Sequence, residues 1–184
     1  MKRCDWAEGS KLYMDYHDKE WGVPVYEDKV HFEFLLLELM QAGLSFITIL
    51  RKRENFRKAF YNFNYKKIAN YDEEKIEELL NDKGIIRHKR KIKALINNAN
   101  KFIEIQNEFN SFNNYIWSFT NNKVIVNNYK NINEVPSKSS LSDLISNDLK
   151  KRGFKFVGSI TIYSYLQAIG IIDDHINSCF KKNF

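Results

Sequence analysis

The amino-acid sequence predicts an all-α fold. Two observations carry that expectation: apolar residues recur at helical spacing in segments bounded by capping residues and glycines, and no stretch sustains a period-two alternation. Val124 to Asn127, VIVN, is the one plausible strand. The 184 residues suit one domain, 1–184, whose core would bury roughly 70% of the unfolded surface.

The first 26 residues carry Cys4, Trp6, Tyr13, Tyr16, His17, Trp21, Pro24 and Tyr26, too aromatic for a disordered arm, so this segment packs against the rest. Gly22 to Pro24 is extended or a turn, because the residue before proline is pushed out of the α region. Asp28 then starts the helix around which the chain is organised. From Phe32 to Met40 every residue except Glu33 and Glu38 is apolar, so this helix is hydrophobic nearly all round and therefore buried. Glu38 goes in with it. Burying an unpaired charge costs several kcal/mol, so Glu38 must be paired by an arginine or backbone, protonated, or turned toward a ligand that donates hydrogen bonds. Gly43 ends the helix where a positive φ is cheap and Ser45 can cap the next one, making Gln41 to Phe46 a tight turn at the mouth of whatever Glu38 faces.

A basic helix from Ser45 to Phe60 follows, with Phe46, Ile49, Leu50, Phe56 and Phe60 inward and Arg51, Lys52, Arg53, Arg57 and Lys58 outward. Asp72 caps an acidic helix closed by Gly84, and a hairpin leads into a helix whose first turns hold Arg87, His88, Lys89, Arg90, Lys91 and Lys93. Cations oppose the dipole at a helix start. A phosphate on the free N–H groups would restore the balance; a solvated face is the alternative. Residues 97–133 are asparagine-rich and expected to be irregular up to Pro136, apart from a packed segment at Tyr115, Ile116, Trp117 and Phe119. Ser140 with Asp143 caps a helix through Lys151, stopped by Gly153. Ser159 to Ala168 forms another, closed by Gly170, and Asp173 or Asp174 starts the last.

The net charge of +6 fits a polyanionic partner as readily as a merely soluble basic protein. The polar N-terminus and the lack of an apolar run of roughly 18 residues point to a soluble, intracellular protein. There two cysteines serve as thiols or metal ligands more readily than as a disulfide. His175 and Cys179 lie four apart, on one face of a helical turn, and Cys4 and His17 form a second soft pair at the opposite end of the chain. Two thiolates and two imidazoles make a closed tetrahedral zinc site. A Cys4–Cys179 disulfide, worth about 5 kcal/mol in the chain-entropy model, and two unrelated buried cysteines are the competing readings.

The stretches RCDWA (Arg3 to Ala7), YHDKEWGVP (Tyr16 to Pro24), QAGLSFITIL (Gln41 to Leu50), GIIRHKRKI (Gly84 to Ile92), LKKRGFKFVG (Leu149 to Gly158) and DDHINSC (Asp173 to Cys179) span nearly the whole chain. In order and spacing it resembles the 3-methyladenine DNA glycosylase I family, the zinc-containing bacterial branch of the helix-hairpin-helix base-excision glycosylases. The resemblance implies a monofunctional enzyme that flips 3-methyladenine from alkylated duplex DNA and hydrolyses its N-glycosyl bond, acting as a cytoplasmic monomer. Its helix-hairpin-helix element falls at about 73–96. It implies structural zinc on Cys4, His17, His175 and Cys179, and a base pocket of Trp6, Tyr16, Trp21, Glu38 and Phe46 with Glu38 as the catalytic carboxylate. Gly84, Arg87, Lys89 and Lys91 are expected on DNA phosphates, with Gly43 and Leu44 as a wedge. The chain departs from the family at Phe46, where tryptophan is usual. It also lacks any aspartate between Lys83 and Asp143, which many relatives in the wider superfamily carry after the hairpin but this branch does without. A non-catalytic DNA-binding module and an RNA-binding helical protein are the competing classes.

Overall fold

The computed structural model describes residues 1–182. Among them the helices are α1 (Lys11–Lys19), α2 (Asp28–Gln41), α3 (Phe46–Ala59), the single turn α4 (Tyr65–Ile68), α5 (Glu73–Asn81), α6 (Lys89–Phe109), α7 (Phe112–Ser118), α8 (Ser140–Lys151) and α9 (Ser159–Ala168). Two two-residue strands, β1 (Ile125–Val126) and β2 (Ile172–Asp173), pair in parallel, Ile125 opposite Ile172. The fold is all α as predicted, and VIVN does supply a strand.

Helix α2 is the axis. Its apolar run is buried on every side, against α3, α6, α7 and α9. Asp28 in its first turn also serves α7: its carboxylate accepts the N–H groups of Phe112 (2.9 Å) and Asn113 (2.8 Å), so one acid faces the positive ends of two helices. The other acid near the start of α2, Glu33, is neutralised by Arg53 (2.7 Å) and Arg57 (3.1 Å) from α3. Those two arginines therefore turn toward the core edge, and the outward basic face expected of α3 is reduced to Arg51 and Lys58, with Lys52 half-buried.

Three expectations are corrected. Residues 97–109 are not irregular, because α6 continues through them for 21 residues in all. Ile92, Leu95, Ala99, Phe102 and Ile105 form its buried stripe, and Asn97 and Asn98 bond to Gly153 and Lys155 across the gap to the loop after α8. Asn110, at φ +66°, ends it. Ser139 caps α8, exchanging hydrogen bonds with Ser142 in a capping box, where Ser140 had been expected. Finally, no helix starts at Asp173 or Asp174. Residues 171–173 are drawn into the ladder with β1, and the chain then turns back over the N-terminus, with Phe180 N donating to Lys2 O (2.9 Å).

Candidate active site and metal centre

The turn after α2 sets the mouth of the site. Gly43 sits at φ +83°, as its position predicts, and Leu44 N bonds back to Gln41 O (2.6 Å). Behind this turn lies a cavity of about 450 Å³. Trp6, Tyr16, Trp21, Glu38 and Phe46, the five residues expected in a pocket, all line it. Their rings form a continuous wall: Trp6 meets Trp21 edge-on at 5.1 Å, and Tyr16 lies 5.1 Å from Phe46 and 6.3 Å from Trp6. Tyr16 is buried and Phe46 half-buried.

Glu38 is 4% exposed at the floor of this cavity. Burial alone pushes its carboxyl up to about 8; among the described residues no cation or donor offsets it. The contrast with Glu33 decides between the readings open in the sequence: two carboxylates share one buried helix, one is held by two arginines, and the other faces a cavity without a partner.

The opposite wall was not anticipated. Ile160, Tyr163, Ser164 and Gln167 project from α9, and Val135 and Pro136 from the loop before α8. Their i, i+3, i+4, i+7 spacing was readable but indistinguishable from a core face. Tyr163 and Gln167 are fixed by donating to the buried Asp174 carboxylate at 2.6 and 2.8 Å. Tyr13, also in the lining, accepts the Ile47 N–H (2.9 Å) and pins the start of α3.

The two ends of the chain meet behind Trp21. Cys4, His17 and Cys179 are buried, with ligand atoms within 4.8 Å of one another. Both cysteines are free thiols, which excludes the disulfide in this structure. The ring of His175 lies 5.0 Å from that of His17 and 4.6 Å from Trp21. His175, the fourth expected ligand, stands outside this group of three and packs beside it through the His17 ring, and no helix spans His175 to Cys179. Both imidazoles are oriented alike: Nδ1 of His17 faces Asp18 (2.8 Å) and Nδ1 of His175 faces Asp173 (2.8 Å). Arg3 in turn grips Asp18 through two nitrogens at 2.9 and 2.8 Å and holds its carboxyl down at about 2. With the Nδ1 protons engaged, each Nε2 presents a lone pair, the arrangement that prepares histidine for a metal. Nε2 of His175 is fully buried and has no hydrogen-bond partner. The donor set and this orphaned nitrogen fit a tetrahedral cation. Gly22 makes room for the ring, since a Cβ there would meet Cε1 of His175 at 2.6 Å.

The expected DNA-facing residues are only partly brought together. Gly43 and Leu44 are exposed at the cavity mouth, Leu44 by 41%. Arg87 is exposed on the α5–α6 hairpin, and Lys89 is exposed and paired with Glu77 (2.8 Å). Gly84 is pinned, its carbonyl accepting from Lys52 (3.2 Å) and its N–H donating to Asp82 (2.7 Å). Lys91 departs from the expectation: it is 5% exposed and its ammonium donates inward, to backbone carbonyls of Met40 and Ala42. A lysine so placed has no reach to a phosphate.

Fold and site together define a helical protein with a cavity walled by aromatic rings and floored by a buried carboxylate. The chain belongs to the methyladenine glycosylase family, whose model matches residues 6–182. It is 46% identical over 179 residues to the DNA-3-methyladenine glycosylase 1 of Escherichia coli (strain K12), covering 97% of this chain and 96% of that one. A crystal structure of a 3-methyladenine DNA glycosylase I matches it with a TM-score of 0.96 at 43% identity, over 99% of this chain and 100% of the other. The Y16F variant of a 3-methyladenine DNA glycosylase I, solved in complex with 3-methyladenine, matches with a TM-score of 0.96 at 34% identity, over 100% and 99% of the two chains.

Proposed function

We infer that this protein is a DNA glycosylase that releases 3-methyladenine from alkylated DNA and so starts base excision repair. The observation that carries the reading is the unpartnered Glu38 carboxyl beneath an aromatic cavity large enough to admit a nucleobase. A purine methylated at N3 carries positive charge in the nucleotide, so its glycosidic bond is already weak. Water attacks C1′, the C1′–N9 bond breaks with its electron pair going to the base, and neutral 3-methyladenine leaves. The proton from the attacking water goes to solvent or to Glu38 as general base. Little acid catalysis is required, and selectivity rests on binding.

A base stacked in a duplex cannot reach this cavity, so the nucleotide must be turned out, which is least costly for a damaged base. Tyr16, Trp21 and Phe46, with Trp6 behind them, would gain cation–π attraction of about 0.5–2 kcal/mol per favourable face from the methylated ring, an attraction neutral adenine lacks. Glu38 would accept hydrogen bonds from the exocyclic amine. A guanine offers an acceptor there and would leave the carboxylate unpaired. Gly84, Arg87 and Lys89 on the helix-hairpin-helix element are proposed to hold phosphates, and Gly43 with Leu44 to fill the vacated space. The whole chain is read as one domain, acting as a cytoplasmic monomer.

Cys4, His17, His175 and Cys179 would hold one zinc ion, whose contribution is a cross-link between the chain ends and no part of the reaction. Trp21 carries that rigidity to the pocket, stacking near His17 at 6.0 Å while lining the cavity.

Two measurements test the pocket. Because Glu38 holds a proton up to about pH 8, binding that needs the carboxylate must expel it. Affinity for free 3-methyladenine, followed by tryptophan fluorescence, is expected to rise from pH 7 to 9 and then level off. A flat profile contradicts the assignment. The same proton affects stability. Between the unfolded carboxyl's 4.5 and about 8 the folded state keeps a proton that the unfolded state has lost, so folding weakens as pH rises across that window. Glu38→Gln is therefore expected to melt several degrees above wild type at pH 9 and at the same temperature near pH 4. In addition, Phe46→Trp is expected to tighten base binding by up to about tenfold through added stacking area, as read in the same titration.

A further inference from the structure

The position of Lys91 calls for a role other than phosphate contact. It lies in the first turn of α6, and its ammonium reaches Met40 O at 2.9 Å and Ala42 O at 2.7 Å. These carbonyls close the C-terminus of α2, where the helix dipole is negative. Burial lowers the pKa of Lys91, and its hydrogen bonds go to those two carbonyls. Ala42 is followed directly by Gly43 and Leu44, and Met40 lies two residues after Glu38. The turn itself is weakly held from within: residues 42–45 are exposed, Ser45 makes no side-chain cap to the α3 backbone, and one backbone hydrogen bond spans it.

We propose that Lys91 is a positioning residue that ties the DNA-facing hairpin to the turn at Gln41–Ser45, fixing Leu44 where it can displace a stacked base. A side chain pushed into a duplex is pushed back, and an exposed turn ending on a glycine yields unless something braces it. Lys91 braces it from the element that faces the phosphates, so the distance from backbone contact to wedge is set by one buried ammonium. The role rests on the reading of Gly43 and Leu44 as the wedge given above. It concerns extrusion of the base and leaves recognition of the extruded base to Glu38 and the rings.

Lys91→Met keeps the aliphatic stem and removes the charge, and Lys91→Arg keeps the charge. Three quantities separate extrusion from recognition: affinity for free 3-methyladenine, single-turnover release from duplex DNA, and single-turnover release from the same oligonucleotide as a single strand. Lys91→Met is expected to leave free-base affinity unchanged and to slow release from duplex by about 100-fold, the scale of a misplacement of roughly 1 Å. Its rate on the single strand, where nothing need be unstacked from a partner, should stay close to wild type, and Lys91→Arg should recover most of the duplex rate. Equal slowing on both substrates, or weaker binding of the free base in step with the rate, would overturn the proposal. Absence of release by the wild-type protein on either substrate would instead count against the glycosylase reading itself.

Discussion

Glu38→Ala is expected to slow release of 3-methyladenine by about 10²–10³-fold, the loss typical when one preorganised polar group is removed from a dry site. Duplex affinity should hardly change, because the phosphate contacts proposed for the hairpin lie away from Glu38. The two effects separate because Glu38 sits at the floor of a cavity lined by Trp6, Tyr16, Trp21 and Phe46, where an extruded base is proposed to bind. Its carboxyl makes no structural ion pair, unlike Glu33, so its removal breaks no brace in the core. The variant should in fact be more stable than wild type at alkaline pH, which distinguishes loss of function from loss of fold. Parallel loss of excision and duplex binding would remove Glu38 from the pocket.

Cys4→Ser, or a strong chelator, is expected to lower the thermal midpoint by about 10 °C or more, since a metal that closes both chain ends contributes its binding energy to folding. The drop should be accompanied by weaker base binding, because His17 and His175 back the Trp21 ring that lines the cavity. Metal analysis should find one zinc per chain in wild type. A chelated protein with an unchanged midpoint and base affinity would show the four residues to be a packed cluster and not a metal centre.

Much of this was legible in the sequence wherever a local signal existed. The unbroken apolar run made α2 the axis, Asp72 capped α5 through the N–H of Lys75 (2.8 Å), and Ser159–Ala168 matched α9. Glu38 stood out as a buried acid, yet nothing local distinguished it from Glu33; the difference lies in Arg53 and Arg57, which are distant in sequence and reach only one of the two. Asparagines concealed the second half of α6, because their low helix propensity outweighed a stripe that tertiary packing enforces. At the C-terminus the i, i+4 spacing of His175 and Cys179 suggested a helix, whereas pairing of Ile172 with Ile125 extends the chain first. That pairing depends on a partner 47 positions away and leaves no local mark. Lys91 shows the same limit. In a basic run it reads as one more phosphate ligand, and only the arrival of the α2 C-terminus beside it turns its ammonium inward.

The most direct measurement is to incubate the purified, zinc-loaded protein with methylated duplex DNA and identify the bases set free. Release of 3-methyladenine, with 7-methylguanine left in the DNA, is the result expected of a cavity that pairs Glu38 with an exocyclic amine. A folded protein that binds the duplex and releases neither base would contradict the central claim and leave a DNA-binding module without catalysis.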